Sequence, residues 1–228
     1  MLIIEDYLAH TLLLERLPKR IAIWNTPSAI RSVNEKIWAT QFHSIIPKTM
    51  ITRYKNDYNQ FLSHQKDVIC KPINSFGGAG IFKVSLGDAN ANVVFEMLSD
   101  NGKKDVIIQE YIPEAQKGDK RILLLEGNPL GAILRVHNDK DHRNNFFAGG
   151  KAVRTSLTQR DLEIVKILKP KLIKKGLFFV GIDIIGDYLI EVNVTSPTCL
   201  QEMNRAYHKN LEEQIIITLE KHCQIRQE

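Results

Sequence analysis

The stretch VGIDIIGDYLIEVNVTSP, residues 180–197, constrains the fold of this 228-residue chain more than any other. Apolar and polar residues alternate on both sides of Gly186-Asp187, which predicts a β-hairpin with one buried face. That face would contain Val180, Ile182, Ile184, Ile190, Val192 and Val194. We expect Ile184 to pair with Ile190 and Asp183 with Glu191 across a turn of odd length, because that register keeps the apolar set together.

The opposite face of the predicted hairpin carries oxygen ligands. Asp183 and Glu191 would lie opposite each other, and Asn193 would point the same way. Since facing carboxylates repel each other, a cation between them is favoured, and oxygen ligands suit Mg²⁺ or Mn²⁺. The alternative is an ordinary solvated sheet face. The acids at these positions, and the Ser-Pro pair that closes the second strand, favour the metal site.

Composition excludes several classes of protein. A hydrophobic content of 43% and a charged content of 25% are ordinary for a globular domain. Neither a signal peptide nor a membrane span is predicted. Three cysteines without metal-ligand spacing are typical of the reducing cytoplasm. The net charge of +5 is spread along the chain, which favours a small anionic ligand over nucleic acid.

Lysine and glycine residues indicate a phosphate site. Lys71 closes a predicted strand over 67–72, where a buried ammonium group needs an anionic partner. Three glycines within residues 77–80 follow, in a turn whose amides can close on phosphate oxygens. The alternative for the turn is a plain hairpin between strands. For Lys36, which precedes this region, the alternative is a solvated helix lysine.

The rest of the pattern predicts alternating helices and strands. Thr158 to Asp161 forms a capping box that opens a helix ending near Gly176. Arg121 and Arg135 flank the apolar runs of a predicted antiparallel meander. The polar stretch 137–147 predicts either a lid loop or a plain surface connection. Further predicted elements are helices over 5–17, 28–38, 90–98 and 201–222 and strands over 21–24, 81–84 and 106–113.

Four segments, KPINSFGGAGIF, QEYIPEAQKGDKRILL, NNFFAGGK and KGLFFVGIDIIGDYLIEVNVTSPTC, resemble the bacterial glutathione synthetases of the ATP-grasp superfamily. The resemblance covers about residues 27–201. It implies an ATP-grasp fold of the α/β (α+β) class, in which two α+β lobes grip ATP. The implied domains are a remnant of the pre-ATP-grasp domain over 1–36, a first lobe with the glycine-rich flap over 37–112, and a second lobe with the lid loop and metal site over 113–228. It also implies that the chain starts inside the last part of a substrate domain.

The resemblance implies a role for individual residues. The phosphates of ATP would be contacted by Lys36 and Lys71 and covered by a flap of Gly77, Gly78, Ala79 and Gly80. The adenine would be contacted by Gln109, Glu110, Tyr111 and Ile112, and the ribose by Asp119. Two Mg²⁺ or Mn²⁺ ions would be held by Asp183, Glu191 and Asn193. The catalytic residues would be Arg121, Arg135 and Arg143. The substrate contacts would be Arg121, Arg135, Asn145, Gly149, Gly150, Ser196 and Thr198. Lys151 departs from the family, which more often has arginine there.

The implied activity is ligation of γ-glutamylcysteine to glycine, with ATP converted to ADP and phosphate through an acyl phosphate. Two alternatives stay open. One is an ATP-grasp ligase that joins a different acid and amine. The other is a nucleotide-binding subunit or remnant without ligase turnover of its own. We also expect a cytoplasmic protein whose partners are its small substrates, together with a second copy or another chain that supplies the missing domain, and neither nucleic acid nor membrane.

Overall fold

The computed structural model describes residues 2–75, 77–136 and 151–225. Its helices are α1 (Leu2–Leu14), α2 (Pro27–Ser32), α3 (Lys55–Gln65), α4 (Ala91–Ser99), α5 (Gln159–Lys175), α6 (Leu200–Tyr207) and α7 (Leu211–Ile225), with 3₁₀ turns at Trp38–Gln41 and Pro113–Lys117. Its strands are β1 (Thr49–Thr52), β2 (Asp67–Pro72), β3 (Phe82–Ser85), β4 (Val106–Glu110), β5 (Asp119–Leu125), β6 (Asn128–Val136), β7 (Lys151–Arg154), β8 (Phe179–Ile185) and β9 (Tyr188–Asn193). They form two antiparallel sheets, in the orders β1-β4-β2-β3 and β7-β6-β5-β8-β9.

The first sheet is buried on one face by two helices. Alternate residues such as Val68, Cys70 and Ile108 pack against α3 and α4, where the rings of Tyr58 and Phe95 stack 4.5 Å apart. Because side chains alternate along a strand, the residues between them point to the other face. Lys71 and Gln109 lie on that second face, which the first core leaves free for a site.

The second sheet packs on α5, the helix predicted from its capping box. The backbone N–H of Asp161 donates to the hydroxyl of Thr158 at 3.1 Å, and the N–H of Thr158 donates back to the Asp161 carboxylate at 2.8 Å. Gly176 ends the helix with a φ of +69°. The prediction for this helix is therefore confirmed. Its buried residues, including Leu168, pack against Ile122, Ile182 and other residues of the sheet.

The hairpin of β8 and β9 confirms one part of the predicted register and corrects another. Asp183 pairs with Glu191, as expected, but Ile184 pairs with Leu189 rather than with Ile190. The turn has two residues and not an odd number, and a bulge next to Asp183 restores the alternation. Leu189 is therefore fully buried in the core, whereas Ile190 is only partly buried and lines the cavity described below.

The N-terminal region differs from the pattern in one element. No strand forms over 21–24, where Ile21 is exposed, because the segment finds no neighbouring strand. Instead Asn25 ties this segment to the hairpin ends. Its amide donates to the carbonyls of Phe179 and Val194 at 2.8 and 2.7 Å and accepts from the backbone N–H of Phe178 and Phe179 at 2.6 and 2.8 Å.

Other elements also differ from the sequence-based predictions. The C-terminal helix is two helices, because His208 adopts a left-handed conformation between α6 and α7. The helix expected over 28–38 stops at Ser32, and the segment after it packs against the second sheet. Strand β1 and helix α3 were not expected. Among the described residues, no helix has both the length and the apolar character needed to cross a membrane.

Candidate active site

A cavity of about 370 Å³ lies between the facing surfaces of the two sheets. Its walls come from β2, β4 and the glycine-rich turn on one side and from β5, β6 and the β8–β9 hairpin on the other. Predicted site residues that line it are Lys71, Gly77, Gly78, Gln109, Glu110, Tyr111, Ile112, Asp119, Arg135, Asp183 and Glu191. The structure therefore brings residues that are up to 120 positions apart in the chain to one space.

The first wall presents a buried ammonium group. Lys71 is only 3% exposed, and its Nζ donates to the side-chain oxygen of Gln109 at 3.2 Å. Burial lowers the pKa of Lys71, and Glu191 across the cavity offsets part of this effect. The turn after it holds Gly77, Gly78 and Gly80 at φ values of +63°, +76° and +72°, which glycine adopts without strain. Ala79 is exposed at the tip.

The second wall contains a chain of alternating buried charges. The Asp183 carboxylate accepts two hydrogen bonds from the Arg121 guanidinium, one of them 2.8 Å long, and lies 3.0 Å from Nη2 of Arg135. Arg135 in turn donates from Nε to Asp119 at 3.0 Å. All four residues are at most 8% exposed. Such a network holds two guanidinium groups in fixed positions at the cavity edge.

These contacts and the burial shift the pKa values of Asp183 and Asp119 in opposite directions. Burial alone would raise the pKa of Asp183, but Arg121 and Arg135 outweigh it and hold that pKa below its ordinary value. Burial raises the pKa of Asp119, which Arg135 offsets only in part. The arginine contacts therefore favour the ionised form of Asp183 more strongly than that of Asp119.

Lys36 joins the two walls. Its ammonium group is 2.6 Å from the Glu35 carboxylate and 3.7 Å from that of Glu191, and it donates to the backbone carbonyl of Ser75 at the start of the glycine-rich turn. With 4% exposure it is a buried lysine, so the alternative of a solvated helix lysine is wrong. Its contacts therefore link the glycine-rich turn to Glu191 on the β8–β9 hairpin.

The oxygen set on the hairpin fits a hard divalent cation. Glu191 lies opposite Asp183 in the ladder, and the Asn193 amide donates weakly to Asp183 at 3.5 Å, which leaves the Asn193 amide oxygen free to act as a ligand. Burial raises the pKa of Glu191, and Lys36 and Lys71 offset this only in part. A bound cation would remove that remaining penalty. Among the described residues no cluster of three or more His, Cys, Asp or Glu side chains forms a metal site, and the predicted set here consists of two carboxylates and one amide oxygen.

The other predicted residues lie around this centre. Arg121 is beside the cavity through Asp183, and its Nη1 donates to the Thr198 hydroxyl at 3.4 Å. Ser196 and Thr198 are exposed on the segment after β9. Arg143, Asn145, Gly149 and Gly150, with the predicted lid loop, lie outside the described residues.

Several lining residues were missed from sequence. Ile69, Ile81, Ile185 and Ile190 add an apolar surface to the cavity, and Lys83 places its ammonium 3.9 Å from the centre of the Tyr111 ring. Ile69 could have been found, because it is two residues before Lys71 on one strand and shares its face. Ile190 could not, because it reaches the cavity only through the bulge.

Comparison with known families decides what this site belongs to. The family model described as "Prokaryotic glutathione synthetase, ATP-grasp domain" matches residues 35–208. The chain belongs to the prokaryotic glutathione synthetase family. It is 42% identical over 217 residues to the glutathione synthetase of Synechocystis sp., a match that covers 95% of this chain and 68% of that protein. With the glutathione synthetase of Agrobacterium fabrum the identity is 43% over 199 residues, covering 87% of this chain and 62% of the other.

Solved structures show the same fold at low sequence identity. The D-cycloserine synthetase DcsG superposes with a TM-score of 0.70 at 13% identity and covers 87% of this chain and 73% of its own. The D-alanine–D-alanine ligase of Bacillus anthracis complexed with ATP gives a TM-score of 0.58 at 16% identity, over 85% of this chain and 68% of its own. The predicted ATP-grasp fold is thus confirmed.

Family membership makes the chain a glutathione-synthetase-like, ATP-dependent ligase that forms a carbon–nitrogen bond and uses a divalent metal with small-molecule substrates. The chain spans about two thirds of the length of these curated relatives, 68% of the Synechocystis protein and 62% of the Agrobacterium protein.

Proposed function

We propose that the chain ligates γ-glutamylcysteine to glycine at this cavity, with ATP as the energy source. The observation that carries the proposal is the arrangement of Lys71 and the glycine-rich turn across one cavity from Asp183 and Glu191. Phosphoryl transfer needs positive charge around the phosphates and a fixed acceptor, with little covalent chemistry from the protein. These two walls supply the positive charge and the metal ligands that such a transfer uses.

The proposed reaction has two steps. A carboxylate oxygen of γ-glutamylcysteine attacks the γ-phosphorus of ATP, the bond to the bridging oxygen breaks, and ADP leaves. The glycine nitrogen then attacks the acyl carbon, phosphate leaves, and the nitrogen loses a proton. No side-chain nucleophile is required. The roles of the protein are to bind, to orient and to exclude water from the acyl phosphate.

The residues divide these roles between the two walls. Lys71, Lys36 and the amides of the glycine-rich turn would neutralise the phosphates. Arg121 and Arg135, fixed by the buried Asp183, would stabilise the negative charge that develops on the transferring group or the acid substrate. Arg143 would assist them. The acid and amine would also meet Asn145, Gly149, Gly150, Ser196 and Thr198.

The nucleoside part would occupy the apolar side of the cavity. Gln109 to Ile112 would hold the adenine next to Ile69 and Ile190, and Asp119 would reach the ribose. Asp183, Glu191 and Asn193 would hold two Mg²⁺ or Mn²⁺ ions, which when bound neutralise the phosphates and orient them for in-line transfer.

Mass spectrometry of products tests this function. The 228-residue chain is incubated with Mg-ATP, γ-glutamylcysteine and glycine, and glutathione and ADP are measured together. Formation of both in equal amounts is expected. ADP without glutathione, when other acids and amines do yield a ligated product, would show that the acid and amine pair is different. Neither product, with Mg-ATP still bound, would favour a nucleotide-binding subunit.

We also propose that another polypeptide or a second copy covers α1. Four leucines along this helix, Leu8, Leu12, Leu13 and Leu14, are between 39% and 65% exposed, and large exposed apolar patches mark interaction sites. Light scattering after size-exclusion chromatography would show whether the pure chain is a monomer, and a monomer would contradict the second copy.

Two other expectations from the sequence stay predictions. They are the division of the chain into 1–36, 37–112 and 113–228, and the cytoplasmic location.

A further inference from the structure

Three polar side chains form a line across the cavity face of the first sheet. Thr49 on β1 is paired with Gln109 on β4, and Gln109 is paired with Ile69 on β2, two residues before Lys71. These strands are neighbours in the sheet. Because residues two apart on a strand share a face, the side chains of Thr49, Gln109 and Lys71 follow one another from the sheet edge to the cavity.

The hydrogen bonds along this line have one possible direction. The Lys71 ammonium can only donate, so the atom of Gln109 that faces it at 3.2 Å is the amide oxygen. The amide nitrogen of Gln109 then donates to the Thr49 hydroxyl at 2.8 Å. Thr49 has one hydroxyl proton, and it is used on the carbonyl of Pro47 at 2.9 Å, so the hydroxyl must accept from Gln109.

This direction matters because the Gln109 amide could otherwise turn over. If it did, its NH₂ group would face the Lys71 ammonium, and two donors would meet in a buried place. The Thr49 hydroxyl opposes that rotation, since it needs a donor and not an oxygen in front of it. Among the described residues, the Gln109 oxygen is the one hydrogen-bond acceptor of Lys71, whose side chain also lines the cavity.

We propose that Thr49 and Gln109 are positioning residues for Lys71 and set where its ammonium meets the phosphates of ATP. The proposal rests on the proposed function, which puts the phosphates beside Lys71. Gln109 lines the cavity and is 6% exposed, whereas Thr49 is not among the described residues that line it. Any effect of Thr49 on the ligand must therefore pass through Gln109. Because the lysine ammonium group is carried on a flexible four-carbon stem, a fixed hydrogen-bond acceptor is needed to hold it in one position.

The experiment compares the affinity for Mg-ATP with that for adenosine, by calorimetry and by competition, in the full chain. Adenosine has no phosphate, so it does not report on Lys71. For Thr49→Val we expect the Kd of Mg-ATP to rise about threefold to tenfold, which is the usual effect of one hydrogen bond. The Kd of adenosine should change by less than about twofold. Thr49→Ser keeps the hydroxyl and should restore the affinity for Mg-ATP.

Two further variants make the comparison strict. Gln109→Met keeps the length of the side chain without the amide and should weaken Mg-ATP more than adenosine, because loss of the proposed adenine contact weakens both ligands and loss of the acceptor of Lys71 weakens Mg-ATP alone. Thr52→Val is the matched control. Thr52 is 4% exposed on the same strand, but its hydroxyl donates to Asp57 at 2.8 Å on the other face. This variant should lower stability, as judged by urea unfolding, and leave the ratio of the two affinities unchanged.

The outcomes separate this proposal from the proposed function. If Thr49→Val weakens ATP and adenosine equally, or if Thr49→Ser fails to restore the loss, Thr49 only supports the sheet and the proposal is overturned. An unchanged ratio in both Thr49→Val and Gln109→Met also overturns it while leaving Lys71 in its role. If the unaltered chain does not bind Mg-ATP, or if Lys71→Met binds it equally well, the proposed function fails and this proposal fails with it.

Discussion

Lys71 and Glu191 are opposite charges on the two walls of one cavity. Among the described residues Lys71 has a hydrogen bond to Gln109 but no ion pair, and Glu191 has a 3.7 Å ion pair with Lys36 that compensates its charge only in part. An uncompensated buried charge is expensive, and a fold keeps one where a ligand completes it. Here the ligands would be the phosphates for Lys71 and a divalent cation for Glu191. The two residues therefore give the first test of the site.

We predict that Lys71→Ala and Glu191→Ala each lower ATP turnover by about 10²-fold or more, because each removes a fixed charge from a desolvated site. The measurements are ADP release and thermal unfolding, and the folded state should persist in both variants. Lys55→Ala is the control. Its ion pair with Glu96 is exposed on both sides, so turnover should not change. Normal turnover in either site variant would place the site elsewhere.

The three thiols should differ sharply in reactivity. Cys70 and Cys199 are buried and Cys223 is exposed. Burial raises the pKa of the Cys70 thiol to about 12, and it also raises the pKa of Cys199 despite Arg121 and Arg135 nearby. We predict that iodoacetamide at pH 8 labels Cys223 alone in the native chain, as read by peptide mass spectrometry, and all three in urea. Rapid native labelling of Cys70 would contradict the packing of the first core.

The Cys70 thiol also gives a pH dependence with a definite sign. Its pKa in the folded state lies above the ordinary value of 9.0, so the folded state holds this proton more tightly than the unfolded state does. The contribution to stability is complete below about pH 9 and is lost as the pH rises toward 12. Cys70→Ala should reduce that alkaline loss in urea unfolding, after allowance for the smaller side chain.

At the residue level, alternation alone predicted a good part of the site. The facing of Asp183 and Glu191 follows from period-two polarity, and the position of Lys71 before a proline suggested a buried charge. The ion pairs of Asp183 with Arg121 and Arg135 did not follow, since they join residues 62 and 48 positions apart through a sheet order that no local pattern contains. The arginines were identified through the family resemblance instead.

At the level of elements, the β8–β9 hairpin shows the limit of what local sequence patterns can predict. Its register at Asp183 was predictable, but the bulge was not, because a two-residue turn with a bulge and an odd turn give the same facing at Asp183. The bulge has a consequence for the site. It turns Ile190 out of the core and into the cavity, where a flat apolar ligand could contact it.

Gly181 on β8 is an element-level test of the site. A Cβ added there would lie 2.9 Å from Cβ of Pro197 and 3.3 Å from Cδ of Arg121. We predict that Gly181→Ala costs about 1–3 kcal/mol of stability and displaces Arg121 and the segment that carries Ser196 and Thr198. Ligase turnover should therefore fall more than the affinity for Mg-ATP does. The measurements are urea unfolding, product formation and calorimetry.

Gly131→Ala is the matched control for this substitution. Gly131 is on β6 of the same sheet, and its added Cβ would lie 2.9 Å from Sδ of Met203 and 3.0 Å from Cδ1 of Leu211, in a separate apolar cluster. It should lower stability by a similar amount and leave turnover per folded molecule unchanged. Equal losses of turnover in both variants would show that the effect of Gly181→Ala is a general loss of stability.

For the whole molecule, the sequence predicted the fold class and most of the larger elements but not how the two sheets are completed. Strand β1 has four residues and no clear alternation, yet it closes one edge of the first sheet and supplies Thr49. Trp38 and Phe42 join the core of the second sheet although they precede the first one in the chain. Such placements depend on contacts across the fold, which local propensity does not contain.

The last prediction separates nucleotide binding from ligation. The described residues that line the cavity run from Ile69 to Glu191, so both proposed nucleotide-binding walls belong to this chain. We predict that Mg-ATP at 100 times its Kd stabilises the chain by about 2.7 kcal/mol in urea unfolding. Mg-ATP should have no such effect on Lys71→Ala at the same concentration.

Ligation makes a further demand, because the acceptor carboxylate must be held in line with the γ-phosphate, and good orientation is worth up to about 7–11 kcal/mol. Ser196 and Thr198, two of the residues proposed to contact the acceptor, are exposed on the segment after β9. We therefore expect slow glutathione formation by the pure 228-residue chain, and faster formation when a partner covers the exposed leucines of α1. Product formation is measured against oligomeric state in one preparation. Fast ligation by a monomer would show that the residues of this chain orient the acceptor without help.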